Sequence, residues 1–273
     1  MNLQNATRVE GTDNRYTASI DPEWCIWGAI GGYAASIALR AAGLAAPPDH
    51  RPVTLSCQFL AAGKAGQVEV IVEPLKLGST SFFNVRLLQE GRLFLQAQIC
   101  TTAKKDGPEH IDIRAPDVPR PSELEAFADQ LRRFGHTPMG FWSNVEGRQV
   151  DFRPPGDPDP RGCRSECWFQ FKDWEIVDDP FLDAARAVIL IDTSIWRAYN
   201  RGQSQLPQHV APSLDLTVWF HDAVLDSHWQ LVQAAADFAG RSLLNGSAKV
   251  WSENGSLVAS GGGQCLFVPV KNG

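Results

Sequence analysis

One carboxylate, Asp215, interrupts an otherwise apolar segment of Leu214, Leu216, Val218, Trp219 and Phe220. A carboxylate in such a strand is costly unless it is paired or functional. It also fits an outward-facing polar row with Ser213 and Thr217 at strand period two, and both readings stand. Gln264 follows Gly261, Gly262 and Gly263, and glycine inside a strand marks close approach of a ligand or another backbone. Asp237, near Gly240, has the character of a turn or bulge residue. Far upstream, Gly31 and Gly32 precede Tyr33 at the head of an alanine-rich stretch. A helix starting there has N–H donors without intrahelical partners, and without a Cβ a ligand can reach them. Tight packing of helix on sheet is the plainer reading of the same pair.

The elements that would position these residues follow from periodicity. Tyr33 to Ala42 consists of helix formers whose clearly polar members, Ser36 and Arg40, share one narrow stripe. A helix apolar on nearly every other side is buried, and Gly43 stands where a left-handed C-cap would end it. Strands are expected at Arg51 to Leu60, Gln67 to Leu75, Ser81 to Gln89 and Arg92 to Thr101, with a hairpin turn at Glu90-Gly91. The polar, proline-rich stretch from Thr102 to Pro121 reads as a linker. It leads to a short helix, Pro121 to Phe134, with Ser122 and Glu125 spaced as a capping box. Arg148 to Phe152 and Cys167 to Phe171 form a candidate strand pair.

The pattern then repeats. Asp179-Pro180 opens a second long helix through Tyr199, with the apolar run Ala187 to Ile191 and Gly202 at its close. Strands follow at Pro212 to Phe220, Trp229 to Ala236, Arg241 to Ser252 and Ser256 to Val268, with a break at Asp237 to Gly240 and a turn at Glu253-Asn254-Gly255. Helix, strand and long hairpin occur twice in the same order. The expected fold is α+β: residues 1–105 and 141–273 as two repeats, joined by a linker with a short helix at 106–140. Two such halves can build one sheet around two central helices.

Composition narrows the function classes. The formal net charge of -6 argues against nucleic acid or an anionic membrane as the main partner. No run of about 20 apolar residues occurs, so no membrane span is expected. Residues 1–8 lack an apolar signal core, which points to a cytoplasmic protein. The six cysteines and six histidines give no metal-binding set. Cys163 and Cys167 have a C-x3-C spacing without a second pair, so reduced thiols, no metal and no cofactor are expected.

The chain resembles the double hotdog acyl-CoA thioesterases of the thioesterase II type. The residues that carry the resemblance are Ile30-Gly31-Gly32-Tyr33-Ala34, Phe59-Leu60, Leu77 to Phe82, Leu214 to His221 and Gly255 to Ser260, ending at Gln264. It covers most of the chain, least of all the stretch from Thr102 to Trp142. It implies a hydrolase of an acyl-CoA or other acyl thioester, each repeat wrapping an antiparallel sheet around a long helix, with the pocket between the repeats. In that family an Asp, a Thr or Ser, and a Gln from the second half position the attacking water. By resemblance the Asp is Asp215 and the Gln is Gln264. The hydroxyl position, eighteen residues before the turn glycine, holds Asp237 instead. A hydroxyl both donates and accepts, whereas an ionised carboxylate only accepts. Two carboxylates at one site would also share a proton, and Thr217, Ser242 and Ser247 stand as other hydroxyl sources. The first half has Thr54 and Cys100 where the second has Asp215 and Gln264, so one site is expected. The first half would supply the helix start at Gly31, Gly32 and Tyr33 to polarise the carbonyl. A non-hydrolytic acyl-CoA or acyl-carrier binding protein, and an assembly of identical copies, remain compatible with the same sequence.

Overall fold

A computed structural model describes residues 1–103, 107–137, 140–154, 157, 162–205 and 208–270. The two long helices are α2, Gly31–Ala45, and α4, Pro180–Arg201. Asp179 caps α4 by accepting from the N–H groups of Phe181 and Leu182, and Gly202 ends it. Correcting the sequence reading, α2 does not stop at Gly43 but runs through it to Ala45. Gly43 is required for packing: a Cβ there would stand 2.7 Å from the Phe181 ring. The helices pack antiparallel, since Gly32 meets Ile189 and Asp192 while Gly43 meets Phe181 near the start of α4. Their small residues allow this approach; a Cβ on Gly32 would lie 2.7 Å from the Ile189 Cα.

One antiparallel sheet wraps both helices. Its first half comprises β1 (Glu10–Thr12), β2 (Arg15–Ile20), β3 (His50–Phe59), β4 (Gly66–Lys76), β5 (Thr80–Gln89) and β6 (Arg92–Ala103). Its second half comprises β7 (Val145–Gln149), β8 (Arg164–Phe171), β10 (Asp215–Phe220), β11 (Gln230–Gly240), β12 (Leu243–Ser252) and β13 (Leu257–Leu266). The order is β1-β2-β4-β5-β6-β3-β10-β13-β12-β11-β8-β7. The halves therefore join at one seam, β3 against β10, with Asp215 opposite Gln58 and Leu216 opposite Cys57. A small second sheet pairs β9 (His209–Val210) with β14 (Val268–Pro269).

The alternation on the strands separates two faces. Leu55, Cys57, Leu216 and Val218 are buried against the helices, while Trp219 is half exposed on the other side. The remaining differences from the sequence reading are local. A hairpin, β1–β2, extends the first half. The break expected at Asp237 to Gly240 is a β-bulge within a continuous β11. Ahead of α3, Phe127–Arg133, the Arg120 N–H donates to the Glu123 carboxylate at 2.7 Å on a short 3-10 turn, in place of the capping box expected between Ser122 and Glu125. Leu3–Ala6 forms a single turn, α1.

Candidate active site

Asp192 lies in α4 directly after the apolar run ending at Ile191, facing the start of α2. Its Oδ2 accepts from the Gly32 N–H at 2.7 Å, and its Oδ1 accepts from the Ser213 hydroxyl at 2.6 Å. Burial raises its pKa above the usual carboxyl value, opposed by the Ser213 and Gly32 hydrogen bonds. The N-terminal end of α2 also favours negative charge there. A carboxylate is thus held inside the molecule by one donor from each half of the chain.

Ser213 reaches Asp192 because the β10 backbone is irregular at its entry. Thr217 pairs with Gly262 in register, but Ser213 bridges to Cys265, one residue out of step. The Leu214 N–H donates to the Gln264 carbonyl at 2.7 Å, and the Leu214 carbonyl accepts from the Phe59 N–H at 2.9 Å. The irregularity overrides simple alternation, leaving Leu214 exposed and turning Ser213 inward.

The structure does bring Asp215 and Gln264 together: the Gln264 N–H donates to Asp215 Oδ1 at 3.1 Å. The contact uses the Gln264 backbone rather than its side-chain amide. Asp215 shares the strand face of Thr217 and Trp219, opposite the helix-facing Leu216 and Val218. The glycines before Gln264 fit between neighbouring backbones; a Cβ on Gly263 would stand 2.3 Å from the Asp215 carbonyl oxygen. Asp237 is elsewhere. It is exposed at the β11 bulge, accepts from the Ser247 hydroxyl at 3.3 Å, and lies three strands from β10. At ~4.8 Å per strand that is roughly 14 Å, too far for the two carboxylates to share a proton.

At the head of α2 the Gly32 N–H is committed to Asp192 rather than open to a ligand. Tyr33 is fully buried, and its phenol donates to the Ala6 carbonyl at 2.8 Å and accepts from the Asp21 N–H. Gly31, partly exposed, is the accessible member of the three. Two thiols sit close by. Cys265 is pushed up to about 12 by burial, then by the charges of Asp192 and Asp215; Cys57 is raised by the same causes. Neither is poised as a thiolate nucleophile. No metal-holding cluster of His, Cys, Asp and Glu occurs among the described residues. Among those residues, no helix is long and apolar enough to cross a membrane.

Sequence reasoning missed Asp192 and Ser213 as a pair. The signal was present: a carboxylate directly after five apolar residues of a buried helix carries the same desolvation argument as Asp215, more strongly.

Comparison with known proteins agrees with this architecture. The model of the acyl-CoA thioesterase N-terminal domain matches residues 20–103, and that of the C-terminal domain matches 115–266. Acyl-coenzyme A thioesterase 8 from Homo sapiens is 25% identical over 250 residues, covering 85% of this chain and 77% of that protein. A hot dog fold protein of unknown function from Alicyclobacillus acidocaldarius superposes with a TM-score of 0.84 at 20% identity, covering 98% of both chains. The acyl-CoA thioesterase II TesB2 from Mycobacterium marinum gives 0.79 at 21% identity, covering 99% of this chain and 100% of that one. With both halves matched in order over most of its length, the chain belongs to the acyl-CoA thioesterase family and is a thioester hydrolase.

Proposed function

We propose that the hydrolytic site lies where the two halves meet, with Asp192 as its general base and Ser213 as the hydroxyl that orients it. The substrate is an acyl-CoA. The observation that carries this reading is the buried Asp192 carboxylate, gripped by the Gly32 N–H and the Ser213 hydroxyl. A base near its working pH is more effective than one of ordinary acidity, and burial moves Asp192 in that direction.

In this mechanism Asp192 takes a proton from water as the water oxygen bonds to the thioester carbon. The carbonyl oxygen gains charge and faces the N-terminal end of α2, with the Gly31 N–H as its nearest accessible donor. The tetrahedral intermediate collapses, the C–S bond breaks, and the proton held by Asp192 passes to the departing thiolate. Asp215 and Gln264 act as positioning residues: their contact closes the irregular entry of β10 that turns Ser213 inward. Asp237 has no part in the reaction.

Release of free thiol from a panel of acyl-CoA substrates by wild type and Asp192→Asn tests the assignment. Loss of at least about a hundredfold in turnover, with melting unchanged or raised, is the expected result. Retained turnover removes Asp192 as the base.

A further inference from the structure

Resting on the Asp192 site just proposed, we infer that the Phe59 ring is the gate of that site, a specificity-determining residue that the acyl chain of the substrate must displace.

Phe59 is the last residue of β3 and follows Leu55 and Cys57 at strand period two, so it points toward the helices. Its ring reaches the head of α2. A Cβ built on Gly31 would stand 2.9 Å from Phe59 Cζ and 3.1 Å from each Asp192 carboxylate oxygen. One point touches both groups, so the ring tip and the carboxylate are at most about 6 Å apart. Between their van der Waals surfaces no more than one water, about 2.8 Å across, fits. The ring and a substrate carbonyl aimed at the Gly31 N–H therefore claim the same space. With the ring in place, Asp192 is only 9% exposed.

The backbone beneath the ring is tied on both sides. The Phe59 N–H donates to the Leu214 carbonyl at 2.9 Å, and the Leu60 N–H donates to the Phe94 carbonyl at 2.8 Å. Opening falls to the side-chain torsions, which move between staggered wells. Phe59 has solvent on its outer side, where Leu60 and Leu214 are 55% and 37% exposed and form an apolar ledge. With Thr54 set against Asp215, the counterpart of Phe59 is Phe220, which is buried at 8% exposure. Only the ring beside the carboxylate has room to turn outward.

Turning it outward exposes apolar surface, which is unfavourable. A long acyl chain offsets that cost by burying its own methylenes, whereas an acetyl group has a single methyl to offer. Phe59 thus makes opening depend on the correct substrate, the logic of induced fit. It also keeps bulk water off Asp192 until the acyl chain arrives. The titratable groups on the elements packed round Asp192 are Tyr33 on α2, Cys57 on β3, Asp215 on β10 and Cys265 on β13. Burial raises Tyr33 and both thiols, so these stay neutral, and a change at Phe59 leaves Asp215 in place.

The test measures kcat/KM for octanoyl-CoA and acetyl-CoA across pH, with full-length wild type, Phe59→Leu and Phe59→Ala, each checked by thermal melting. Wild type is expected to favour octanoyl-CoA by at least about tenfold. In Phe59→Ala that preference should shrink about tenfold, because acetyl-CoA no longer has a ring to displace. The acid limb should also move to lower pH, because water now reaches the carboxylate. Phe59→Leu should fall between the two, and it carries the test should Phe59→Ala fail to fold. An octanoyl-to-acetyl ratio unchanged in both variants, or a wild type that favours acetyl-CoA, overturns the inference. The two readings fail separately. Turnover retained by Asp192→Asn removes the base, whereas an inactive Asp192→Asn with an unmoved ratio at Phe59 removes the gate alone.

Discussion

Gly43 and Asp192 occupy equivalent points of the two central helices. Gly43 lies twelve residues after Gly31, the first of α2, and Asp192 lies twelve after Pro180, the first of α4. Each faces the head of the opposite helix: Asp192 accepts from Gly32, while Gly43 makes room for the Phe181 ring. The strands repeat the asymmetry. β3 has a register shift between Pro52 and Thr54, matching the irregularity of β10 between Ser213 and Asp215. The first half thus presents a glycine and a proline where the second presents a carboxylate and a hydroxyl. One pseudo-symmetric location holds the gripped carboxylate and the other is filled by an aromatic ring.

The asymmetry predicts that Gly43→Asp will not create a second site. Its side chain meets the Phe181 ring, and overpacking of this kind costs about 1–3 kcal/mol. A lowered melting temperature with turnover per folded molecule unchanged is the expected outcome.

As the proposed base, Asp192 is expected to couple activity and stability to pH in opposite senses. Its pKa in the folded protein is raised by burial, so the folded state holds the proton more tightly than the unfolded chain. Its contribution to stability is complete below the unfolded pKa and is lost as pH rises through the folded one. The base must be ionised, so kcat/KM climbs over the same interval. A kcat/KM profile should show an acid limb above the ordinary carboxyl range. Melting of Asp192→Asn should lack the decline that wild type shows there. An acid limb at the ordinary carboxyl pH would contradict the burial argument.

Ser213→Ala removes a donor that favours the ionised carboxylate, which raises the Asp192 pKa further. The acid limb of kcat/KM should move to higher pH, and turnover should fall roughly tenfold. Ser213→Thr keeps the hydroxyl and should restore the wild-type limb. A limb that stays in place in Ser213→Ala would show that the hydroxyl does not set the state of Asp192.

Asp215→Asn and Asp192→Asn distinguish positioning from proton transfer. Among the described residues the Asp215 side chain accepts from the Gln264 N–H, and an amide oxygen can accept the same bond. Turnover should drop by less than about tenfold, against a hundredfold for Asp192→Asn. The reverse order would make Asp215 the base. Asp237→Thr should leave the pH profile superimposable on wild type, with stability within ~0.5 kcal/mol, because Asp237 is exposed at a bulge.

The two helices, both long hairpins and the internal repeat were legible because each rests on a hydrophobic period that tertiary contacts reinforce. Both halves of the candidate site were less so. Asp192 sits in a helix whose apolar run draws attention to packing, and its partners are Gly32, 160 positions upstream, and Ser213. Nothing local in the sequence announces such a distant contact. Alternation left open an outward face for Ser213, in a row with Asp215 and Thr217, and the irregular entry of β10 turns it inward. Gly43 looked like a helix terminus because glycine ends helices; here a neighbouring ring needs the space a side chain would take.

The β3–β10 seam has a consequence for how the protein can be divided. Gly32 comes from the first repeat, and Asp192 and Ser213 come from the second, so neither repeat alone holds the gripped carboxylate. The covalent connection between them includes residues 107–120, outside any strand, where Ala115 and Val118 pack beside Trp168 and the Pro119 carbonyl accepts from the Trp168 indole; it also keeps the two repeats at high effective concentration. A chain severed within 107–120 should therefore lose activity on dilution and regain it when the two fragments are mixed. Complementation between fragments would make this single polypeptide the functional equivalent of an obligate heterodimer.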